Sequence, residues 1–160
     1  MKFSAQEEYG LRCLVTLAGA DDGGTMTIPV IAKAEGLTQS HVAKLLALLR
    51  KSGFINSTRG QAGGYALARP ASQIRIREAL DCLGGRLFAD EHCSRYSGTV
   101  DECVHTSDCA LHSLWSDIQS AVDSVTDRLT LDQIICNSSP IPIHLSAASG
   151  SATGPGRGKS

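Results

Sequence analysis

The chain has 160 residues, 42% of them hydrophobic and 19% charged, enough for one ordinary domain or a small domain with an arm and a tail. Its net charge of −1 hides a polarity: residues 1–78 carry ten Lys/Arg against six Asp/Glu, a balance of +4, and residues 79–139 carry three against ten, a balance of −7. The opening Met-Lys-Phe-Ser-Ala-Gln-Glu-Glu has no apolar signal core, and no run approaches the ~18 apolar residues of a membrane span; a cytoplasmic protein without membrane association is expected.

In chain order, Glu7 to Ala20 predicts a helix, with Leu11, Leu14, Val15 and Ala18 on one buried face. Thr27 and Pro29 open a short helix from Ile28 to Glu35, and Gly36 stops it. Thr38 caps a third helix, Gln39 to Lys51, whose apolar stripe is Val42, Leu45, Leu46 and Leu49. Two β-compatible runs, Phe54–Thr58 and Tyr65–Ala68, flank the loop Arg59-Gly60-Gln61-Ala62-Gly63-Gly64 and read as a hairpin. A further short helix spans Ile76 to Leu83, before Gly84-Gly85.

Residues from about Leu87 to Thr106 lack periodicity. Ser107 is then expected to cap a long helix with Leu111, Leu114, Trp115, Ile118, Val122, Val125 and Leu129 at three- and four-residue steps. Such an amphipathic helix needs a partner surface, and its own copy in a homodimer is the natural one. Thr130 to Ile135 is a last short turn, and a Ser-, Gly-, Ala- and Pro-rich tail from Asn137 is expected to be disordered. Its closing Gly-Lys-Ser lacks the upstream glycine of a phosphate-binding loop.

Two short helices around a glycine turn, followed by a hairpin, form a winged helix-turn-helix pattern. In that geometry Thr38, Gln39, Ser40 and His41 reach base edges from the third helix, and Lys44 adds a cation one turn on. Arg59 and Gln61 at the hairpin tip face a minor groove or the backbone. A three-helix module whose Ser, Thr and Gln only cap and solubilise fits the same pattern, and His41 fits an exposed polar position as well as a base contact.

The rear half carries Cys93-x9-Cys103-x5-Cys109-Ala-Leu-His112. In a reducing compartment clustered thiols point to metal or redox chemistry rather than disulfides. Cys109 and His112 lie three apart on the long helix, hence on one face, with Cys109 in the first turn where a helix N-terminus favours a thiolate. Three thiolates and an imidazole suit an iron–sulfur cluster or zinc. The close Cys-x2-4-Cys pairs of structural zinc are missing, so the spacing leans towards a cluster. His92 and His105 are weaker substitutes for His112. Cys13, Cys82 and Cys136 fall on or beside apolar faces and read as core thiols.

These residues together resemble the IscR-type iron–sulfur regulators, a winged-helix family that also contains the nitric-oxide-sensing NsrR regulators. The likeness covers Met1 to about Ile135. It is carried by the opening Met-Lys-Phe-Ser and Glu8-Tyr-Gly-Leu-Arg12, the wing Arg59-Gly60-x-x-Gly63-Gly64-Tyr65-x-Leu67, Pro70-Ala-Ser-x-Ile74, and Cys109-x-x-His112-x-Leu114-Trp115. The resemblance implies a homodimer built on the long helix, a cluster near the dimer interface, and promoter DNA bound by paired recognition helices and wings, usually in repression. By position, Cys93, Cys103 and Cys109 fall on the family's ligand cysteines, and His112 on the fourth ligand of the 2Fe–2S members. Glu8 falls where NsrR-like members supply a carboxylate from the other subunit to a 4Fe–4S cluster. The nine residues between Cys93 and Cys103 exceed the family's usual spacing.

The expected protein is therefore mostly α: a winged helix-turn-helix DNA-binding domain with its N-terminal helix over 1–85, a cluster-binding loop and dimerisation helix over 86–136, and a tail over 137–160. The expected function is cluster-dependent transcriptional regulation, with 2Fe–2S favoured over 4Fe–4S by the Cys-x-x-His-x-Leu-Trp stretch. A nitric-oxide or redox sensor with a 4Fe–4S cluster and a zinc-stabilised DNA- or protein-binding module are the alternatives. No nucleophile–base constellation or nucleotide loop points to an enzyme.

Overall fold

A computed structural model describes residues 3–20, 24–60, 63–86, 88 and 109–136. The elements are α1 (Ala5–Ala18), α2 (Ile28–Glu35), α3 (Gln39–Lys51), β1 (Ile55–Thr58), β2 (Gly64–Leu67), a 3-10 turn (Ala71–Gln73), α4 (Ile76–Leu83), α5 (Ala110–Thr126) and α6 (Leu131–Cys136). The chain forms a mostly helical winged helix-turn-helix with one small antiparallel sheet and a long helix behind it.

α1 starts two residues before the expected Glu7, because Ser4 and Glu7 make a capping box. Glu7 N donates to Ser4 Oγ (3.2 Å) and Ser4 N to Glu7 Oε2 (2.6 Å). Its buried side is Gly10, Cys13, Leu14 and Leu17. The expected Leu11, Val15 and Ala18 are only partly buried, since α1 is packed on several sides at once: against α2, α3 and β2, and against α4 and α6.

α2, α3 and α4 occupy the expected spans. Gly36 adopts φ +66°, a left-handed stop that lets the chain turn into α3. Thr38 caps α3 by accepting from His41 N (3.3 Å), and Val42, Leu45, Leu46 and Leu49 are buried as the stripe predicts.

In the wing, Ile55 pairs with Leu67 and Thr58 with Gly64. Met26 adds a bridge on the outer side of β2, exchanging backbone bonds with Tyr65 in both directions (2.8 Å each). That bridge, which ties the α1–α2 connection to the wing, has no periodic signature in the sequence.

α5 begins at Ala110, with Cys109 in the cap position and no side-chain cap bond, later than the start expected from Ser107, which itself lies outside the described residues. Gln119 is its one buried residue. Leu111, Leu114 and Trp115 are 60%, 48% and 37% exposed, so the N-terminal half of α5 presents large apolar side chains to solvent. The other end is fastened: Ile76 N donates to Leu129 O and Leu131 N to Ile74 O (2.9 Å each), and Leu131 is fully buried in the core. Among the described residues, no helix is long and apolar enough to cross a membrane. The tail expected to be disordered lies outside the described residues.

α1 and α4 meet at Gly10. A Cβ there would come within 2.3 Å of Leu83 Cδ2, and Leu83 is buried. Gly10→Ala is expected to gain about 1 kcal/mol of helix propensity but to lose more, because an overpacked core costs about 1–3 kcal/mol. The measurement is the urea midpoint, which is expected to fall; an unchanged or higher midpoint would show that Leu83 yields freely.

Candidate functional site

The candidate DNA contacts lie on the first turns of α3 and just past the end of β1. Thr38, Gln39, Ser40 and Lys44 are exposed on the first turns of α3, and Arg59 is exposed where β1 leaves the sheet. Gln61 lies outside the described residues. His41 is not a free polar residue: it is half-buried, with its ring edge-on to Tyr9 of α1 (centroids 5.4 Å, 89°). The Arg12 guanidinium lies over the same tyrosine ring at 5.5 Å.

Arg12 also closes the far side of the turn. Its Nε donates to Glu35 Oε2 (2.6 Å) and Nη2 to Glu35 O (2.8 Å), while Thr16 Oγ1 donates to Glu35 Oε1. Hydrogen bonding to Glu35 raises the Arg12 guanidinium further above its ordinary range. α1 thus grips α2 through Glu35 and α3 through His41. Sequence reasoning passed over Arg50, in the last turn of α3, whose Nη1 donates to Ser57 Oγ (3.3 Å) and joins the recognition helix to the wing. The signal was its place one turn before the hairpin.

Of the metal candidates, Cys109 and His112 are described; Cys93 and Cys103, with His92 and His105, lie outside the described residues. Cys109 is half-buried and free of any disulfide. Its backbone is extended (φ −85°, ψ 99°), so it stands at the helix cap rather than in the first turn as expected. It remains in register with His112, whose N–H donates to Cys109 O (3.0 Å). The exposed His112 ring meets Phe88 edge-on (5.1 Å, 85°). This donor chemistry fits a soft metal or cluster: an uncommitted thiol and an imidazole one turn on, at the open N–H end of a helix that suits an anionic group.

Glu8 is exposed on α1 at the edge of a groove of about 380 Å³ floored by Leu11, Val15, Ile76, Leu131 and Ile134. Among the described residues no three His, Cys, Asp or Glu side chains come together, so Glu8 does not join Cys109 and His112 within one protomer.

The other thiols separate by burial. Cys13 is fully buried and its thiol is pushed up to about 11 by desolvation, which leaves it neutral and inert. Cys82 is half-buried and donates to Ser52 Oγ (3.0 Å) at the end of α3. Cys136 is exposed at the last residue of α6, which corrects its reading as a core thiol.

Comparison with known proteins adds to this geometry. The IscR regulator of Escherichia coli is 26% identical over 137 residues, 86% of this chain and 82% of its own. Among solved structures, T. potens IscR superposes with a TM-score of 0.69 at 27% identity, covering 87% of this chain and 89% of that one. CymR of B. subtilis, titled the global cysteine regulator, superposes at 0.68 and 26% identity, covering 85% and 97%. These relatives are named as transcriptional regulators rather than enzymes. The model of the Rrf2 family, described as iron-dependent transcriptional regulators, matches residues 3–137. Spanning the wing, the recognition helix and the long helix alike, that match shows that the chain belongs to the Rrf2 family of transcriptional regulators.

Proposed function

We propose that this regulator binds promoter DNA as a homodimer, usually to repress, and that its affinity depends on an iron–sulfur cluster held by Cys93, Cys103, Cys109 and His112. The observation that carries the reading is the pairing of Cys109 and His112 at the open end of α5, beside the exposed side chains of Leu111 and Leu114. When bound, a cluster supplies a redox-active, oxidant-sensitive centre at that end. Cys109 and His112 would contribute a thiolate and an imidazole, the set that favours 2Fe–2S. A 4Fe–4S cluster with a carboxylate from the second subunit is the other reading, favoured by the exposure of Glu8 beside its groove.

In this reading residues 1–85 bind DNA, 86–136 hold the cluster and pair the subunits, and the protein works in the cytoplasm. Thr38, Gln39, Ser40 and Lys44 enter the major groove by the N-terminal end of α3. His41 serves that contact from behind, by seating α3 on Tyr9. Arg59 and Gln61 lie along the adjacent backbone or minor groove, and Arg50 holds the wing at its distance from the helix.

Three outcomes are expected. Protein purified without air is coloured, and Cys103→Ala and Cys109→Ala bleach it; a colourless wild type holding one zinc would overturn the cluster. Native mass spectrometry of the wild type, Glu8→Ala and His112→Ala then assigns nuclearity and fourth ligand. Arg59→Ala weakens binding to every DNA sequence and lowers the salt slope by about 1, as loss of one phosphate contact requires. Fluorescence anisotropy across a salt series measures it, and an unchanged slope removes Arg59 from the interface. Leu111→Glu with Leu114→Glu yields monomers by sedimentation equilibrium at concentrations where the wild type is dimeric; a persistent dimer places the interface elsewhere.

A further inference from the structure

Among the described residues Gln119 is the one polar side chain in the buried set, 5% exposed. Burying an amide costs about 1–3 kcal/mol unless it is bonded, and a leucine would fill a helix position facing α4 without that cost. The amide is used at both ends. Oε1 accepts from Phe88 N (2.9 Å), and Nε2 donates to Asp123 Oδ1 (2.7 Å).

Each end leads on. Phe88 is the residue whose ring stands against His112. Asp123, largely buried, receives Arg86 Nη2 (2.7 Å) and Arg77 Nη2 (3.4 Å) on Oδ2. Arg77 belongs to α4, and its other contacts are Asp127 (2.6 Å) and Asp81 (3.7 Å). One residue past Asp81, Cys82 donates to Ser52 at the C-terminal end of α3. A continuous set of contacts therefore runs from the candidate metal end of α5, through the middle of that helix, to the back of the recognition helix.

We propose that Gln119 is a positioning residue that couples the arrangement around His112 to the placement of α3, by tying the Phe88 backbone to the Asp123–Arg77 pair. Hydrogen bonds are directional, so a shift of Phe88 leaves the buried Gln119 carbonyl without its partner. The amide must then turn, and turning withdraws its N–H from Asp123. Asp123 redistributes between Arg86 and Arg77, and α4 moves with Arg77. An apolar side chain at 119 packs equally well and transmits none of this.

This inference rests on the cluster reading, and its test separates the two. The variant is Gln119→Leu in the full chain, with Asp123→Asn as the second variant should the first fold poorly. In the loaded protein the visible spectrum is expected to persist. DNA affinity of the cluster-free form stays within about twofold of wild type, while the ratio of loaded to cluster-free affinity, about 5–150-fold for an ordinary coupling, falls towards one. A ratio equal to that of wild type overturns the proposal.

A cluster-independent measurement accompanies it. In cluster-free protein Phe88→Ala is expected to speed amide hydrogen exchange across residues 76–83, and to have no such effect in the Gln119→Leu background. Equal acceleration in both backgrounds, or none in either, overturns the coupling. A wild type that takes up no cluster overturns the cluster reading, while the exchange experiment still decides the role of Gln119.

Discussion

Cys13 and Leu14 of α1 are fully sealed from solvent, and the helix around them is touched by the turn helices, the wing, α4 and α6. A helix in that position must present a different surface to each neighbour. α1 does so by dividing its circumference. Gly10 admits Leu83 of α4, Leu17 enters the core towards the wing, and Tyr9, Arg12 and Thr16 face the helix-turn-helix. The recognition helix is consequently oriented from the side that faces α1. A ring edge holds α3 and a paired carboxylate holds α2, contacts that are directional where plain apolar packing is not.

How much of this was legible in the sequence follows from where the deciding signals lie. α2, α3 and α4 were placed to the residue because local punctuation defines them: Pro29, Gly36, Thr38, Gly53 and Gly84 each act on their own neighbours. α1 begins ahead of its apolar period because Ser4-x-x-Glu7 forms a capping box, a signal separate from the periodicity. At α5 the cap signal and the observed start disagree. Ser107 is by propensity a far better cap than Cys109, yet the cap position falls to Cys109, with no side-chain cap bond. The Met26–Tyr65 bridge and the Arg77–Asp123 pair are long-range and leave no period in the chain.

The candidate centre divides in the same way. Its cysteine spacing and the His112 register are sequence properties, and the structure adds a free thiol at a helix cap and an imidazole held by Phe88. In the DNA half the structure adds a contact for His41: its half-buried ring stands edge-on to Tyr9 of α1, a partner that no local pattern encodes.

The attachment of α5 has a mechanical consequence. Its C-terminal end is anchored by the Leu129 and Leu131 backbone bonds, by Arg77 with Asp127, and by the burial of Leu131; residues 110–115 stand exposed at the other end. The helix is a cantilever. With 17 residues at about 1.5 Å each it reaches about 25 Å, so tilting it by about 5° at the root sweeps the Cys109 end through about 2 Å. Leverage works in both directions: a displacement of ångström scale at the tip arrives at the root as a small rotation carrying a large torque. Stiffness along the helix, rather than softness in a hinge, is then what would carry a displacement at the Cys109 end to the domain in which the helix is rooted.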